Sequence, residues 1–355
     1  MTIHGKAVPM TKVAIYGATG YTGFELIRLL LSHPRATIAA LTSEQYSDQP
    51  VEQAFPPFRG MLPNVIFGKM EQIRALDVDA VFLALPHTVS ASVAAEILPR
   101  GARVIDLSAD FRFRNIPLYE AVYGVRHVRP DLAERAVYGL PEIHRDALRK
   151  TRLAAVPGCF PTAVVLALYP LLKDGLIEAK GIVADCKTGV SGGGRGPSLG
   201  FHYPEAEGGV RPYGFPRHRH SPEMDQELSL AAGRNVTVTF VPHLLPMVRG
   251  ILATCYATAS AKVAERDVED AYRKHYGKEP FVRLCAPGIL PSTKDVYGSN
   301  FCDVAFRVDE KSRRLIVVSA IDNLGKGASG AAVQCFNLMM GFPEDEGLRT
   351  APLFP

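Results

Sequence analysis

Residues 13–27 read Val-Ala-Ile-Tyr-Gly-Ala-Thr-Gly-Tyr-Thr-Gly-Phe-Glu-Leu-Ile, and this stretch decides the fold. An apolar run ends at Gly17, and apolar residues from Phe24 onward recur at helical spacing until His33 and Pro34. The pattern predicts a strand, a turn and a helix. Further apolar strands separated by helical segments are predicted at 37–41, 80–85, 103–107 and 153–156. Such strands are typical of a parallel sheet covered by helices on both faces.

The pattern changes after about residue 157. Alternating or β-rich runs occupy 236–241, 251–259, 301–308 and 315–321, which favours a mixed or antiparallel sheet. Helices are predicted at 263–276 and 326–340. The chain is therefore expected to be an α/β protein with two different sheets.

Length and composition are ordinary for a globular protein. The 355 residues suffice for two domains, and 47% are hydrophobic and 21% charged. The net charge of +4 is spread along the chain, so nucleic acid is not a favoured partner. No stretch reaches the ~20 apolar residues that span a bilayer, and the N-terminus lacks the apolar core of a signal peptide. Six cysteines without a Cys-x-x-Cys pair fit a reducing cytoplasm better than a disulfide framework.

Three glycines separate the first strand from the first helix. In that position glycines let the backbone approach a pyrophosphate, whose charge the helix N-terminus stabilises. The spacing is Gly-x-x-Gly-x-x-Gly rather than Gly-x-Gly-x-x-Gly, so a tight turn without a ligand is the alternative. The predicted dinucleotide loop contains Gly17, Thr19, Gly20, Tyr21, Thr22 and Gly23.

The end of the second strand indicates which nicotinamide cofactor is bound. An acidic residue there would accept hydrogen bonds from the ribose of NAD. The sequence instead has Thr42 and Ser43, whose hydroxyls suit a 2′-phosphate, although Glu44 follows directly. NADP(H) is therefore predicted.

Cys159 lies in Pro-Gly-Cys-Phe-Pro-Thr, directly after a predicted strand and before an apolar helix at 163–172. A thiol at a helix N-terminus is biased toward the nucleophilic thiolate. The alternative is a small buried apolar residue. We predict that alternative for four other cysteines: Cys186, Cys255, Cys302 and Cys335. Cys159 is predicted to be a nucleophile.

An acid/base partner for the thiol is offered by Arg-His-Arg-His-Ser-Pro-Glu, residues 217–223, ahead of a predicted helix. His218 and His220 are both candidates. A zinc site of these histidines with Glu223 lacks a clear third ligand, and no metal is predicted. Three other histidines are expected at the surface: His4, His33 and His275.

Two arginines are candidates for holding an anion. Arg112 follows the carboxyl end of a predicted strand, and Arg249 lies in Met-Val-Arg-Gly-Ile. Guanidinium groups hold carboxylate and phosphate bidentately, but either arginine alone fits a structural role equally well. The glycine-rich residues 188–196 are either a mobile loop or an anion-binding nest.

In combination, these motifs resemble the N-acetyl-γ-glutamyl-phosphate reductase family, in order and over nearly the whole chain. The combination is more specific than any single motif. The residues that carry the resemblance are 17–23, 108–112, 157–162, 191–195, 218–223, 249–251 and 323–328.

The resemblance implies a fold and an activity. The expected fold is a Rossmann domain of residues 1–157 completed by 324–355, and a glyceraldehyde-phosphate-dehydrogenase-like catalytic and oligomerisation domain of 158–323. The expected reaction is the NADPH-dependent reduction of the acyl phosphate in arginine biosynthesis, through a thioester on Cys159, with release of inorganic phosphate. A cytoplasmic homotetramer or dimer is implied.

The resemblance also implies site residues. It favours His218 as the acid/base residue, with His220 second. It implies cofactor contacts from Ser191, Gly192, Asn323 and Leu324, and substrate contacts from Arg112, Tyr213 and Arg249. The sequence departs from many relatives in reading Gly-Gly-Gly at 192–194, and residues 204–216 are rich in Gly, Pro and charge.

Three other functions fit parts of the pattern. A reductase of the aminoadipyl analogue in lysine biosynthesis would act on a substrate one methylene longer, which changes binding by only ~1–3 kcal/mol. A cysteine-dependent acyltransferase or hydrolase would retain Cys159 without a cofactor. A non-catalytic dinucleotide sensor would retain the glycine loop alone.

Overall fold

A computed structural model describes residues 10–73 and 76–354, so that His4 lies outside the described residues. The strands are β1 Thr11–Tyr16, β2 Ala36–Thr42, β3 Phe67–Gly68, β4 Ala80–Leu83, β5 Arg103–Asp106, β6 Val137–Tyr138, β7 Leu153–Ala155, β8 Ile182–Thr188, β9 Arg211–Pro212, β10 Val238–Leu244, β11 Ile251–Thr258, β12 Val282–Leu284, β13 Cys302–Asp309 and β14 Arg314–Ile321. The helices are α1 Tyr21–Leu31, α2 Val51–Ala54, α3 Met70–Ile73, α4 Ser90–Ile97, α5 Ile116–Tyr123, α6 Pro130–Arg135, α7 Pro141–Leu148, α8 Cys159–Lys173, α9 Tyr203–Ala206, α10 Ser221–Ala232, α11 Glu265–Tyr276 and α12 Gly330–Met340.

The chain divides into two compact units. The first contains the residues through Arg114, together with Val125–Val156 and Ala332–Leu348. The second contains Asn115–Gly124, Pro157–Ala331 and the residues from Arg349.

The first unit is built on a parallel sheet. Its described strands have the order β3-β2-β1-β4-β5-β7-β6, and each pair of neighbours is parallel. Four consecutive residues of β1 and all four of β4 are buried, as expected for strands covered on both faces. The order runs outward in opposite directions from β1 and β4, and the loop after β1 therefore lies at a topological switch point. The predicted parallel sheet is confirmed.

His33 corrects one expectation in this unit, because it is buried rather than at the surface. Its Nε2 lies 2.9 Å from Oδ1 of Asn337, and its ring packs against Phe336 and Phe342. These contacts come from residues about 300 positions away in the sequence. The helical pattern around His33 in the sequence cannot show that distant residues bury its side chain.

The second unit is built on a mixed sheet. Its described strands have the order β12-β13-β14-β11-β8-β10-β9. β8 and β10 are parallel, as are β12 and β13, and the remaining pairs are antiparallel. The predicted mixed sheet is confirmed, although β8 itself was not predicted.

Helix α8 forms the core of the second unit. It packs against β11 and β14, and almost all of its residues from Phe160 to Leu172 are buried. It starts at Cys159, four residues before the predicted start. Near its other end, His275 is partly buried and lies 2.9 Å from a carboxylate oxygen of Asp174, so it reaches the surface only in part. No helix among the described residues is long and apolar enough to cross a membrane.

Candidate active site

Cys159 is the first residue of α8, and Gly158 is its N-cap in an extended conformation. The start of a helix offers backbone N–H groups and the positive end of the helix dipole. The thiol is partly exposed. By contrast, Cys186 and Cys255 are buried, and burial raises the pKa of Cys255 to about 12 and that of Cys186 well above its usual value. Cys159 therefore combines access with a helix N-terminus.

Gly158, the residue before Cys159, packs against the histidine segment. Its N–H donates to Oε1 of Glu223 at 2.8 Å. A Cβ at this position would stand 2.6 Å from Nε2 of His220, so a side chain here would displace the imidazole. Glu223 is fully buried in the first turn of α10. The absence of a side chain at Gly158 is what lets His220 lie beside the residue preceding Cys159.

His218 lies in an aromatic environment. Its Nδ1 accepts a hydrogen bond from the N–H of His220 at 3.1 Å, which leaves Nε2 as the protonated nitrogen of the neutral ring. Burial, followed by the charge of Arg219, lowers the pKa of His218 to about 4. The ring is therefore neutral near pH 7. Its edge-to-face neighbours are Phe160, Tyr213 and Phe240.

A π-helical turn at Gly325–Ser329 also packs against Cys159. A Cβ on Gly327 would stand 2.9 Å from Cβ of Cys159, so only glycine permits this approach. Turns of this type are rare and concentrate at functional sites. The sequence predicted a continuous helix here, and a helical apolar pattern does not distinguish the two geometries.

Two of the predicted site residues, Asn323 and Ser191, form one hydrogen-bonded group with the backbone of Gly250. The side-chain amide of Asn323 accepts from the N–H of Gly250 at 2.8 Å and donates to Oγ of Ser191 at 2.9 Å. Gly250 directly follows Arg249, so the group joins the arginine segment to the Asn323 and Ser191 segments. Leu324 is buried and Gly192 is exposed.

Asp322 is a central residue that sequence reasoning missed. Its fully buried carboxylate lies 3.5 Å from Nη1 of Arg249. It also accepts the N–H groups of Gly298, Leu324 and Gly325 at 2.7, 2.8 and 2.9 Å. The available signal was an acidic residue directly after a strand and directly before the Asn-Leu-Gly-Lys-Gly motif.

The two other predicted substrate residues lie in different units. Tyr213 belongs to the second unit, where burial, followed by the charge of Cys159, raises the pKa of its hydroxyl. Arg112 belongs to the first unit, where it is buried. Its guanidinium donates to the backbone oxygens of Val156 at 2.7 Å and Leu107 at 2.8 Å.

The glycine loop of the first unit forms a tight cradle. Gly17 has φ of +76°, and a Cβ there would collide with the carbonyl oxygen of Ala84. A Cβ on Gly23 would stand 2.6 Å from the backbone of Ala18. Gly20 is the N-cap of α1, and a Cβ there would meet only the carbonyl oxygen of Gly17, at an ordinary contact distance of 3.8 Å. This closely packed loop at a helix N-terminus and a switch point fits a pyrophosphate.

The hydroxyl residues at the end of β2 support this loop. Oγ1 of Thr42 accepts from the N–H of Gly17 at 2.9 Å, and Oγ of Ser43 lies 3.1 Å from Oγ1 of Thr19. Thr42 and Ser43 are buried, whereas Tyr21 is exposed and Thr22 partly exposed. A direct contact of Thr42 and Ser43 with a 2′-phosphate stays a prediction.

Comparisons with known proteins extend over both units. Family models described as "Semialdehyde dehydrogenase, NAD binding domain" and "Semialdehyde dehydrogenase, dimerisation domain" match residues 12–151 and 159–323. The chain is 49% identical to the N-acetyl-gamma-glutamyl-phosphate reductase of Geobacter sulfurreducens over 348 residues, which cover 98% of this chain and 100% of the relative. It is 48% identical to that of Symbiobacterium thermophilum over 347 residues, which cover 97% and 99%. The fold matches aspartate semialdehyde dehydrogenase with NADP from Candida albicans with a TM-score of 0.68 at 15% identity, covering 93% of this chain and 98% of that one.

Proposed function

The chain belongs to the N-acetyl-γ-glutamyl-phosphate reductase family, and on that premise we propose that it reduces N-acetyl-γ-glutamyl phosphate to N-acetylglutamate 5-semialdehyde in arginine biosynthesis. The observation that carries the proposal is the position of Cys159 at the start of α8. The ring of His220 lies against the preceding glycine, and the Gly325–Ser329 turn packs against the Cβ of Cys159. A thiol with an adjacent imidazole suits nucleophilic catalysis.

NADP(H) is the cofactor, and the first unit holds it. The glycine loop that Thr42 and Ser43 support would hold the pyrophosphate and the 2′-phosphate end of the nucleotide. Further contacts are proposed from Ser191, Gly192, Asn323 and Leu324. When bound, NADPH supplies the hydride that reduces the acyl group.

Cys159 carries the acyl group. Its Sγ attacks the γ-carbonyl carbon, the C–O bond to phosphate breaks, and inorganic phosphate leaves with a thioester in place. Backbone N–H groups at the N-terminus of α8 stabilise the oxyanion of the tetrahedral intermediate. A thioester is electrophilic enough to be reduced, unlike the carboxylate that hydrolysis would produce. After reduction, the thiohemiacetal on Cys159 releases the aldehyde and regenerates the thiolate.

His220 is the acid/base residue in this proposal, although the family resemblance favours His218. His220 lies beside Gly158, within one residue of the nucleophile. Nδ1 of His218 is occupied by the backbone of His220, and burial lowers the pKa of His218 to about 4. We therefore assign proton transfer at the thiohemiacetal oxygen to His220. His218 is assigned a supporting role, because its Nδ1 accepts the backbone N–H of His220.

The anionic ends of the substrate are held by arginine. Arg249 is the first candidate, because the next residue, Gly250, donates its N–H to Asn323, which in turn donates to Ser191. Tyr213, which packs against His218, is a second contact in the same unit. Arg112 is retained as a proposed substrate contact.

The units are assigned separate roles. We propose residues 1–157 with 324–355 as the dinucleotide-binding domain, and residues 158–323 as the catalytic and oligomerisation domain. Along β11, residues that pack on α8 alternate with half-exposed ones, among them Leu252, Thr254 and Tyr256. This second face supports self-association as a dimer or tetramer. Cytoplasmic location is proposed from the pathway.

The reaction run backwards tests the proposal. Wild-type protein and a Cys159→Ser variant are mixed with N-acetylglutamate 5-semialdehyde, phosphate and NADP⁺, and the absorbance of reduced nicotinamide is followed. We expect a phosphate-dependent signal in the wild type and none in the variant. A signal with only the aminoadipate analogue would move the substrate to lysine biosynthesis. Silence with both aldehydes, in a folded sample, would refute the reductase assignment.

A further inference from the structure

Asp322 lies where two strands of the second sheet end side by side. β14 ends at Ile321, which pairs with Ile251 at the start of β11. Asp322 therefore follows one strand, and Arg249 and Gly250 precede the other. The antiparallel ladder itself brings the carboxylate and the guanidinium together, at 3.5 Å between Oδ2 of Asp322 and Nη1 of Arg249.

The same carboxylate organises the turn beside the nucleophile. Oδ1 accepts both the N–H of Leu324 and the N–H of Gly325, at the start of the π-helical turn whose Gly327 packs on Cys159. Oδ2 accepts the N–H of Gly298 at 2.7 Å. The buried carboxylate thus accepts three backbone N–H groups and also faces the guanidinium of Arg249.

We propose that Asp322 is a positioning residue that orients Arg249 toward an anionic group of the substrate and fixes the Gly325–Ser329 turn against Cys159. This inference rests on the proposed function for the identity of the substrate, but the geometry of Arg249 does not depend on it. An ionic partner holds a guanidinium plane in one orientation, and misplacement of such a group by ~1 Å costs about a hundredfold in rate.

Asp322→Asn is the sharpest variant. The amide oxygen can still accept from Leu324 and Gly325, whereas the negative charge facing Arg249 is lost. In the reverse reaction we expect the KM for the aldehyde or for phosphate to rise roughly 10- to 100-fold, with the KM for NADP⁺ within about twofold of wild type. In an Arg249→Ala background, adding Asp322→Asn should raise the same KM by less than about twofold further, because the two residues act together.

A matched control separates positioning from loss of a buried charge. Asp174 pairs with Lys274 and His275 at the far end of α8 from Cys159, and its side chain is 19% exposed. Asp174→Asn should leave every KM unchanged. If Asp322→Asn leaves the KM values for aldehyde and phosphate unchanged, or acts equally strongly with and without Arg249, the inference is overturned.

Two further measurements keep the test decisive. If Asp322→Asn does not fold, Asp322→Glu retains the charge but displaces it, and a rise in the same KM is expected while an unchanged KM overturns the inference. If the wild type shows no turnover, the proposed function fails, and a crystal structure of Asp322→Asn then tests the inference alone. A displaced Arg249 side chain supports it, and an unmoved one overturns it.

Discussion

The Nε2 atom of His220 lies where a Cβ on Gly158 would come within 2.6 Å of it. Gly158→Ala therefore displaces the imidazole without altering the thiol that follows. The backbone at Gly158, with φ of −64° and ψ of 153°, accepts alanine without strain. We expect kcat to fall about a hundredfold, as for other displacements of a catalytic group by ~1 Å. Steady-state kinetics of the reverse reaction measure it.

Two controls test this interpretation. In a His220→Ala background the methyl group has room. Adding Gly158→Ala to that variant should therefore lower kcat by less than about twofold. Gly209→Ala, at a position where a Cβ would meet nothing within 4 Å, should leave kcat unchanged. Full activity in Gly158→Ala, or an equal loss in the absence of His220, would rule out His220 as the displaced group.

The lowered pKa of His218 predicts a pH dependence of stability. Burial lowers this pKa from 6.5 to about 4, so between these values the unfolded chain binds a proton that the folded protein does not. The stability contributed by the neutral ring is therefore complete above about pH 6.5 and is lost as the pH falls toward 4. His218→Phe, which packs among the same aromatic rings, should lose less free energy of unfolding between pH 7 and 5 than the wild type.

Urea denaturation at the two pH values measures this difference. His202→Phe, at an exposed position, serves as the control and should follow the wild-type curve. Equal losses in the wild type and His218→Phe would contradict the buried neutral ring.

The sequence predicted those parts of the fold that local patterns encode. The apolar runs of β1, β4 and β5 identified the parallel sheet, because strands buried on both faces need such runs. The edge strands β3, β6 and β9 have only two residues each and carry no periodicity. In the missed strand β8, buried and partly buried residues alternate throughout. Asp185 and Lys187 lie on its less buried face and made it resemble a polar segment.

The sequence identified the segments that form the candidate site, but not the contacts between them. The flanking Pro-Gly and the following apolar helix identified Cys159, since a helix start has local signals. Asp322 was missed because its role depends on Arg249, which is distant in the sequence and near only through the β11 and β14 ladder. The preference between His218 and His220 likewise depends on tertiary contacts, namely the proximity of Gly158.

Gly20→Ala tests the proposed pyrophosphate cradle. The nearest atom to a Cβ there is the carbonyl oxygen of Gly17, at 3.8 Å, so the folded protein has room for a methyl group. A pyrophosphate bound against the loop would leave no room for that methyl group. We expect the Kd for NADPH to rise about tenfold, with only the small loss of stability that replacing a glycine N-cap brings.

Calorimetry and thermal unfolding separate these effects. Gly17→Ala is the informative contrast, because its Cβ would collide with Ala84 and its φ is positive, so that variant should lose both stability and binding. Unchanged NADPH affinity in a folded Gly20→Ala protein would mean that the nucleotide does not approach this part of the loop.

The half-exposed face of the second sheet predicts the effect of a charge on self-association. Tyr256 pairs with Ile316 on β14 and with Val183 on β8, and all three residues are only partly buried in the single chain. Apolar side chains in register across three strands form a continuous patch, which a second copy would bury. Tyr256→Glu places a charge within that patch and should lower the molar mass measured by light scattering at micromolar concentration.

Ile289→Asp, at an exposed apolar residue outside the sheet, is the control and should leave the molar mass unchanged. An assembly that survives Tyr256→Glu intact would show that the chain associates through another surface.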